Sequence, residues 1–279
     1  TKDSCVFRLV SVCCLRKIHR FLYFQKRPKN LRERTDSMKL IADTHTHTTA
    51  STHAYSTLQE MVHAAAEKGL FAIGITDHGY SMPGGPGAWY FGNLHSVPKR
   101  LENVWVLRGT EANVVDYEGH LDIPEEDLRR LDWVVASIHS CCMPEGVVPT
   151  RELCTQLWLE VAKNPYVNVI GHSGSPDYAY DYERVIPEFG RNGKLVEINS
   201  HSFEVRASYI PNCREIARLC MKYRVPVIVN SDAHFSASVL DCSAGLEMLE
   251  EMGFPEELIV NSSEERFRNY LKEHTNFWK

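Results

Sequence analysis

Seven of the thirteen histidines stand where short apolar runs end, or in the first loop that follows one. The run Lys39–Asp43 leads into Asp43-Thr44-His45-Thr46-His47, with His53 a few residues on. Leu70–Thr76 leads to Asp77 and His78, Val104–Thr110 to Glu111, and Trp133–Ile138 to His139. Val167–Gly171 leads to His172, and Val225–Asn230 to Asp232-Ala233-His234. In extended backbone alternate residues face the same way, so His45 and His47 can offer two imidazoles to one ion. Asp232 and His234 can do the same, or serve two neighbouring ions. Neutral nitrogen mixed with carboxylate oxygen suits zinc, manganese or iron better than calcium. A glutamate between two cations offsets their mutual repulsion. One histidine at a strand end is ordinarily a loop hydrogen bond or a solvated group; the recurrence carries the weight.

The runs that must position these groups are short and almost continuously apolar, the pattern of strands covered on both faces. Leu195–Asn199 makes a seventh. Helical spacing appears over Leu58–Lys68 (closed by Gly69), Arg151–Ala162, Asn212–Lys222, Leu240–Met252 and Ser263–Glu273. Tyr80–Ser96, with SMPGGPG, reads as a long loop over one end of the sheet. Alternating strands and helices predict parallel strands whose C-terminal ends gather the polar groups into one cleft, in a barrel or an open sheet.

The chain has 279 residues, 43% hydrophobic and 24% charged, which fits a folded protein and excludes a wholly disordered one. No stretch of eighteen apolar residues could span a membrane as a helix. The net charge is -5, but residues 1–37 carry +7 and the remainder -12. Residues 1–37 read as a basic, poorly ordered extension, and 38–279 as one domain. The acidic body gives no reason to expect nucleic acid. Nine cysteines with no CxxC pair point to free thiols in a reducing, cytoplasmic setting.

The stretch DTHTHTTASTHAYS at 43–56 resembles the opening motif of the polymerase-and-histidinol-phosphatase (PHP) superfamily, and within it the YcdX-like phosphatases. ITDHG at 75–79, LRGTEAN at 107–113, ASIH at 136–139, IGH at 170–172, LVEIN at 195–199, PNCREIA at 211–217 and SDAH at 231–234 follow in family order. The resemblance implies a distorted seven-stranded β/α barrel with three divalent ions at the C-terminal strand ends, zinc first and manganese or iron as alternatives. Carried over by position, His45, His47 and Asp232 would hold one ion, and His53, His78 and His234 a second. His139 and His172 would hold a third, with Glu111 bridging the first and third. HSG at 172–174 departs from the family's HPG and changes the stiffness of that loop. The resemblance allows a closed homo-oligomer.

Adjacent divalent ions make hydroxide available near neutral pH and neutralise a phosphate ester. Neither GxSxG nor a P-loop occurs. The expected activity is therefore hydrolysis of a small phosphorylated metabolite, a phosphomonoester, by metal-activated hydroxide. Alternatives are a histidinol-phosphate phosphatase, a phosphodiesterase or exonuclease using Trp89, Tyr90, Phe91, Lys99 and Arg100, an amide hydrolase, or a metal-stabilised binding protein. His201 and Arg206, beyond the seventh strand, could face substrate, with His201 a proton-transfer group. His95 and His120 are weaker candidates. Asp43 and Asp77 could orient ligand histidines or only hold strand ends. Cys141 and Cys142 place thiols close to His139.

Overall fold

In the computed structural model, residues 38–278 are described. The expected basic extension therefore lies outside the described residues. From Leu40 onward the chain forms one compact unit. Its elements in chain order are β1 Ala42–Thr46, α1 Leu58–Glu67, β2 Ala72–Ile75, α2 Ala88–Asn93, β3 Arg100–Leu101, β4 Val104–Asn113, α3 Glu125–Leu128, β5 Trp133–Ser137 and α4 Arg151–Lys163. They continue with β6 Val169–Ile170, α5 Tyr182–Arg191, β7 Leu195–Asn199, α6 Ser200–Val205, α7 Ile210–Tyr223, β8 Val227–Asn230, α8 Ser243–Glu251 and α9 Glu264–His274.

Seven strands run parallel in the order β1-β2-β4-β5-β6-β7-β8, and short β3 pairs antiparallel with β4. β4 is long because it changes partners: Trp105–Arg108 pairs with β2, and Gly109–Asn113 pairs with β5. That stagger curls the sheet towards closure. The result is the distorted, nearly closed seven-stranded barrel of the expected type.

Among the described residues one backbone bridge, Thr46 to Ala233, joins β1 to the chain just past β8, and amide side chains close the rest of the seam. Asn261 donates to Ala42 O at 2.8 Å and Val229 O at 2.7 Å, and accepts from Val229 N at 3.1 Å. Asn230 Oδ1 accepts from Thr44 N and Thr44 Oγ1, both at 2.9 Å. Two side-chain amides thus stand in for the missing peptide ladder between β1 and β8.

The barrel interior at the strands' N-terminal ends is apolar. Ala42, Ala72, Leu107, Val135, Leu195 and Ile228 meet Phe267 and Leu271 of α9, with Phe277 beyond it, so the last helix plugs this end. On the outer face Ile73 and Ile75 pack against Met61, Val62 and Ala65 of α1. The α1 start is fixed by a capping box in which Thr57 Oγ1 accepts from Glu60 N and Glu60 Oε2 accepts from Thr57 N.

Several boundaries differ from the sequence reading. The first strand begins at Ala42 and runs through Thr46, because pairing with β2 extends to Ile75. The helix expected from Leu240 begins at Ser243, since Leu240 adopts φ +62° and turns the chain. α5 forms despite Pro187 because Val185, Ile186 and Phe189 are buried on one face. α2 falls within the stretch expected to be a loop, where Phe91 is buried.

Candidate metal centre

β1 carries a bulge. Three steps from Asp43 to Thr46 oppose two steps from Ile73 to Ile75 on β2. An extra residue reverses the in-out alternation beyond it. Ala42 can therefore line the apolar interior while His45 and His47, both fully buried, turn to the same interior further up. The bulged Thr44 carbonyl presses on Gly74, where a Cβ would come within 2.5 Å of Thr44 O. Glycine at 74 is thus a condition for the orientation of His45.

Glu111 is the centre of the cluster. Its Oε2 lies 3.3 Å from His45 Nε2, 3.4 Å from His47 Nε2 and 2.9 Å from His78 Nδ1. Its Oε1 lies 2.8 Å from His172 Nε2 and 3.5 Å from His139 Nε2. One carboxylate therefore faces five imidazoles, a different set on each oxygen. Asp232 Oδ1 lies 3.2 Å from His47 Nε2 and 3.6 Å from His45 Nε2. His53 Nε2 lies 3.2 Å from His78 Nε2, and the His53 and His234 rings are 4.7 Å apart. Among the described residues three groups that could hold an ion result: His45–His47–Glu111, His47–His78–His234 and His78–Glu111–His139. His78 stands in two of them, between positions that the resemblance divides among separate ions. His172 joins through Glu111, and His53 through His78 and His234.

Four buried atoms here, His45 Nε2, His47 Nε2, His78 Nδ1 and Asp232 Oδ1, have no hydrogen-bond partner. Buried polar atoms are nearly always partnered, and each unpartnered one costs about 1–3 kcal/mol. Four in one cluster, aimed past one another at shared space, fit divalent cations. Two nitrogens each about 2.1 Å from a tetrahedral ion lie about 3.4 Å apart, close to the spacings found.

Other groups fix which ring nitrogen faces inward. His45 Nδ1 donates to Glu197 Oε1 at 2.7 Å, His139 Nδ1 to Asn113 Oδ1 at 2.7 Å, and His234 Nδ1 to Asp232 O at 2.9 Å. Each leaves Nε2 with its lone pair. Glu197 also accepts from Asn230 and Asn199 side chains and from His172 N. Asp77 accepts from Thr48, Ser51 and Tyr90, and Ser51 Oγ stands 3.4 Å from His47 Nδ1, so Asp77 orients the first loop. Asp43 instead accepts from Ser231 and Leu240 N, a fastening across the seam. Asp232 and His172 hold φ of +56° and +21°, conformations unfavourable for side-chain-bearing residues that the surrounding bonds sustain.

The electrostatics match this arrangement. Burial opposes ionisation of Glu111, but His45, His139 and His78 hold it well below the carboxylate range. Burial likewise opposes ionisation of Asp232, and His45 and His47 overcome it. Burial pushes His139 down to about 3 and His47 well below its ordinary value, which keeps both neutral. For His45, burial is outweighed by Glu197, Glu111 and Asp232, which raise it well above its ordinary value. A site that draws a proton so strongly equally favours a metal cation.

The cluster deepens from mouth to floor. His53 is exposed and His139 and His234 half-buried, while His45, His47 and Glu111 are buried. His201 is half-buried with its ring 6.1 Å from that of His234, and Arg206 lies five residues on. His95 and His120 are engaged locally with Gly92 O and Asp116. Lys99 and Arg100 do not reach the site. β3 pairs with the start of β4, so they lie at the opposite end, with Lys99 bonded to Phe277 O and Arg100 over Trp105. Tyr90 is taken up by Asp77 and Phe91 by the core, so among the described residues these side chains form no basic track with stacked aromatics. Cys141 Sγ lies 3.8 Å from both Cys142 Sγ and Met82 Sδ, and the six described cysteines are free. Sequence reasoning missed Glu197, Asn113, Asn199 and Asn230. The available signal was a glutamate inside the otherwise apolar run LVEIN.

The PHP domain pattern matches residues 43–201. A protein named "Probable phosphatase" from Acetivibrio thermocellus is 46% identical over 235 residues, covering 84% of this chain and 96% of its own. One of the same name from Caldicellulosiruptor bescii is 47% identical over 237 residues, covering 85% and 98%. Histidinol phosphate phosphatase from Lactococcus lactis, solved with zinc, L-histidinol and phosphate, shares the fold with a TM-score of 0.52 at 16% identity. That match covers 77% of this chain and 94% of the other.

Proposed function

The chain belongs to the PHP domain family, and from that premise we propose that it hydrolyses a small phosphomonoester at a centre of three divalent ions, zinc first among them. The observation that carries this reading is the group of four orphaned buried ligand atoms around Glu111, whose two oxygens face different imidazoles. The relatives named as phosphatases support the ester class. The motif order quoted above favours the YcdX-like branch.

His45, His47 and Asp232 would hold one ion and His53, His78 and His234 a second. His139 and His172 would hold a third, with Glu111 shared between the first and third. Bound ions supply an acidified water and neutralise the phosphoryl charge. The residues of this chain do the rest. Glu197, Asn113 and Asp232 O lock the inward-facing nitrogens, so the ligand set does not have to reorganise during reaction. His201, which burial first and then the charges of His234 and Arg206 hold below its ordinary value, is neutral and can accept a proton at the mouth. Arg206 offers a fork of donors to the nonbridging phosphoryl oxygens.

Elemental analysis of gently purified protein, paired with hydrolysis of a phosphomonoester before and after chelation, tests this. About three ions per chain are expected, with activity abolished on stripping and restored by zinc or manganese. Metal without ester hydrolysis, but with cleavage of small amides, would transfer the site to amide chemistry.

A further inference from the structure

Seven segments leave the parallel strands on the side of the centre: 47–57, 76–98, 114–124, 138–150, 171–181, 200–209 and 231–242. Of the 31 lysines and arginines in the chain, these segments contain one, Arg206. Among the described residues Arg206 is in no ion pair. Its guanidinium lies 5.7 Å from the centroid of the Tyr209 ring and donates to Ser202 Oγ at 3.3 Å. Carboxylates are spread over the same segments, among them Asp116, Glu118, Glu145, Asp177 and Glu204. One fixed cation beside a metal centre suffices for one phosphoryl group. A second phosphate further out would meet negative side chains, and among the described residues these segments supply no further lysine or arginine to receive it.

The same segments also expose large apolar side chains. Tyr55, Trp89, Val148, Val205 and Phe235 are 74%, 93%, 77%, 57% and 51% exposed, and every one stands on these segments. Val147 stands beside Val148. Among the described residues, the other large apolar side chains so exposed are Leu153, in the first turn of α4, and Tyr223, at the far end of α7. Tyr55 N donates to His234 O at 2.9 Å, so Tyr55 and Phe235 flank one candidate ligand. Val205 directly precedes Arg206. Trp89 precedes Tyr90, whose hydroxyl donates to Asp77 at 2.5 Å. Singly exposed apolar residues are ordinary; their concentration on the segments that leave the strands beside the centre points to a contact surface for a ligand.

From this pairing of charge and apolar surface, and resting on the phosphatase reading above, we infer that the substrate carries a single phosphoryl group on an uncharged apolar or aromatic alcohol. Tyr55, Phe235 and Val205 contact the alcohol part while Arg206 receives the phosphoryl oxygens. Sugar bisphosphates and nucleoside polyphosphates are disfavoured.

Benzyl phosphate and glycerol 1-phosphate, both primary alkyl esters, are compared on the metal-loaded full chain, with fructose 1,6-bisphosphate as the doubly charged probe. Benzyl phosphate is expected to exceed glycerol 1-phosphate in kcat/KM by at least about tenfold. The bisphosphate is expected to be poorer than either. The Tyr55→Ser/Phe235→Ser double variant should bring the benzyl-to-glycerol ratio towards one through KM. It should also weaken binding of non-hydrolysable benzylphosphonate, read by calorimetry, by about tenfold. Tyr223→Ser, at the opposite end, should leave the ratio where it was. Equal use of the esters, with hydrolysis intact, overturns this inference alone. A double variant that changes the sedimentation coefficient but not benzylphosphonate binding assigns the rim to contact between copies and also overturns it. No ester hydrolysed with the ions in place overturns the phosphatase reading itself.

Discussion

At the N-terminal end of the strands, Phe267, Leu271 and Phe277 fill the barrel, and the polar ends of Tyr270 and Lys194 are satisfied. Tyr270 Oη donates to Asn168 O at 3.0 Å and Gly193 O at 2.9 Å, and Lys194 Nζ donates to Asn164 O at 2.5 Å and Val167 O at 2.8 Å. The orphaned atoms near that end are isolated indole N–H groups of Trp133 and Trp278. At the C-terminal end the same barrel holds ring nitrogens and a carboxylate oxygen that converge and find no hydrogen-bond partner. One end is organised for stability alone. The other leaves buried polar atoms unpartnered, a cost that a bound cation would recover.

Three changes would sharpen or break that comparison. Phe267→Ala, in the plug, should cost about 3–5 kcal/mol in urea unfolding while the folded fraction keeps its activity. Lost turnover in folded protein would show that the two ends are not independent. Glu197→Gln, behind His45, should lower metal affinity by about 10–100-fold in competition with a chelator. Unchanged affinity would remove Glu197 from the support of the centre. The smallest effect belongs to Lys194, which burial pushes down to about 8. Its folded value lies below the unfolded one, so the unfolded chain binds more protons between pH 8 and about 10.5. Wild type should therefore gain stability relative to Lys194→Met as pH rises through that window, and lose that gain as pH falls through 8. Parallel denaturation curves at pH 7.5 and 10 for the two proteins measure it.

The strand-end histidines and Glu111 were legible because parallel folds deliver such positions to one place, whatever the details of packing. The bulge that turns His45 inward was not. Its only trace in sequence is Gly74, one strand away, and nothing local ties the two. Glu197 was passed over because a carboxylate in an apolar strand has no local rationale until His45 is seen to face it. α5 was hidden by Pro187, where burial of Val185, Ile186 and Phe189 outweighs the lost backbone bond. The outer segments follow no period, so the positions of His201 and Arg206 could only be suggested.

The seam between β1 and β8 has a consequence for synthesis. His45, His47 and His53 are among the first residues of this unit to be made, yet His47 N bonds to Ala233 O and Ala42 O to Asn261. A nascent chain that has not yet exposed Asn261 lacks the fastening of its first strand, and until residue 234 emerges it also lacks the candidate ligands Asp232 and His234. The centre is therefore completed late, and a chain interrupted before residue 232 lacks two of the nine candidate ligands as well as the fastening of its first strand.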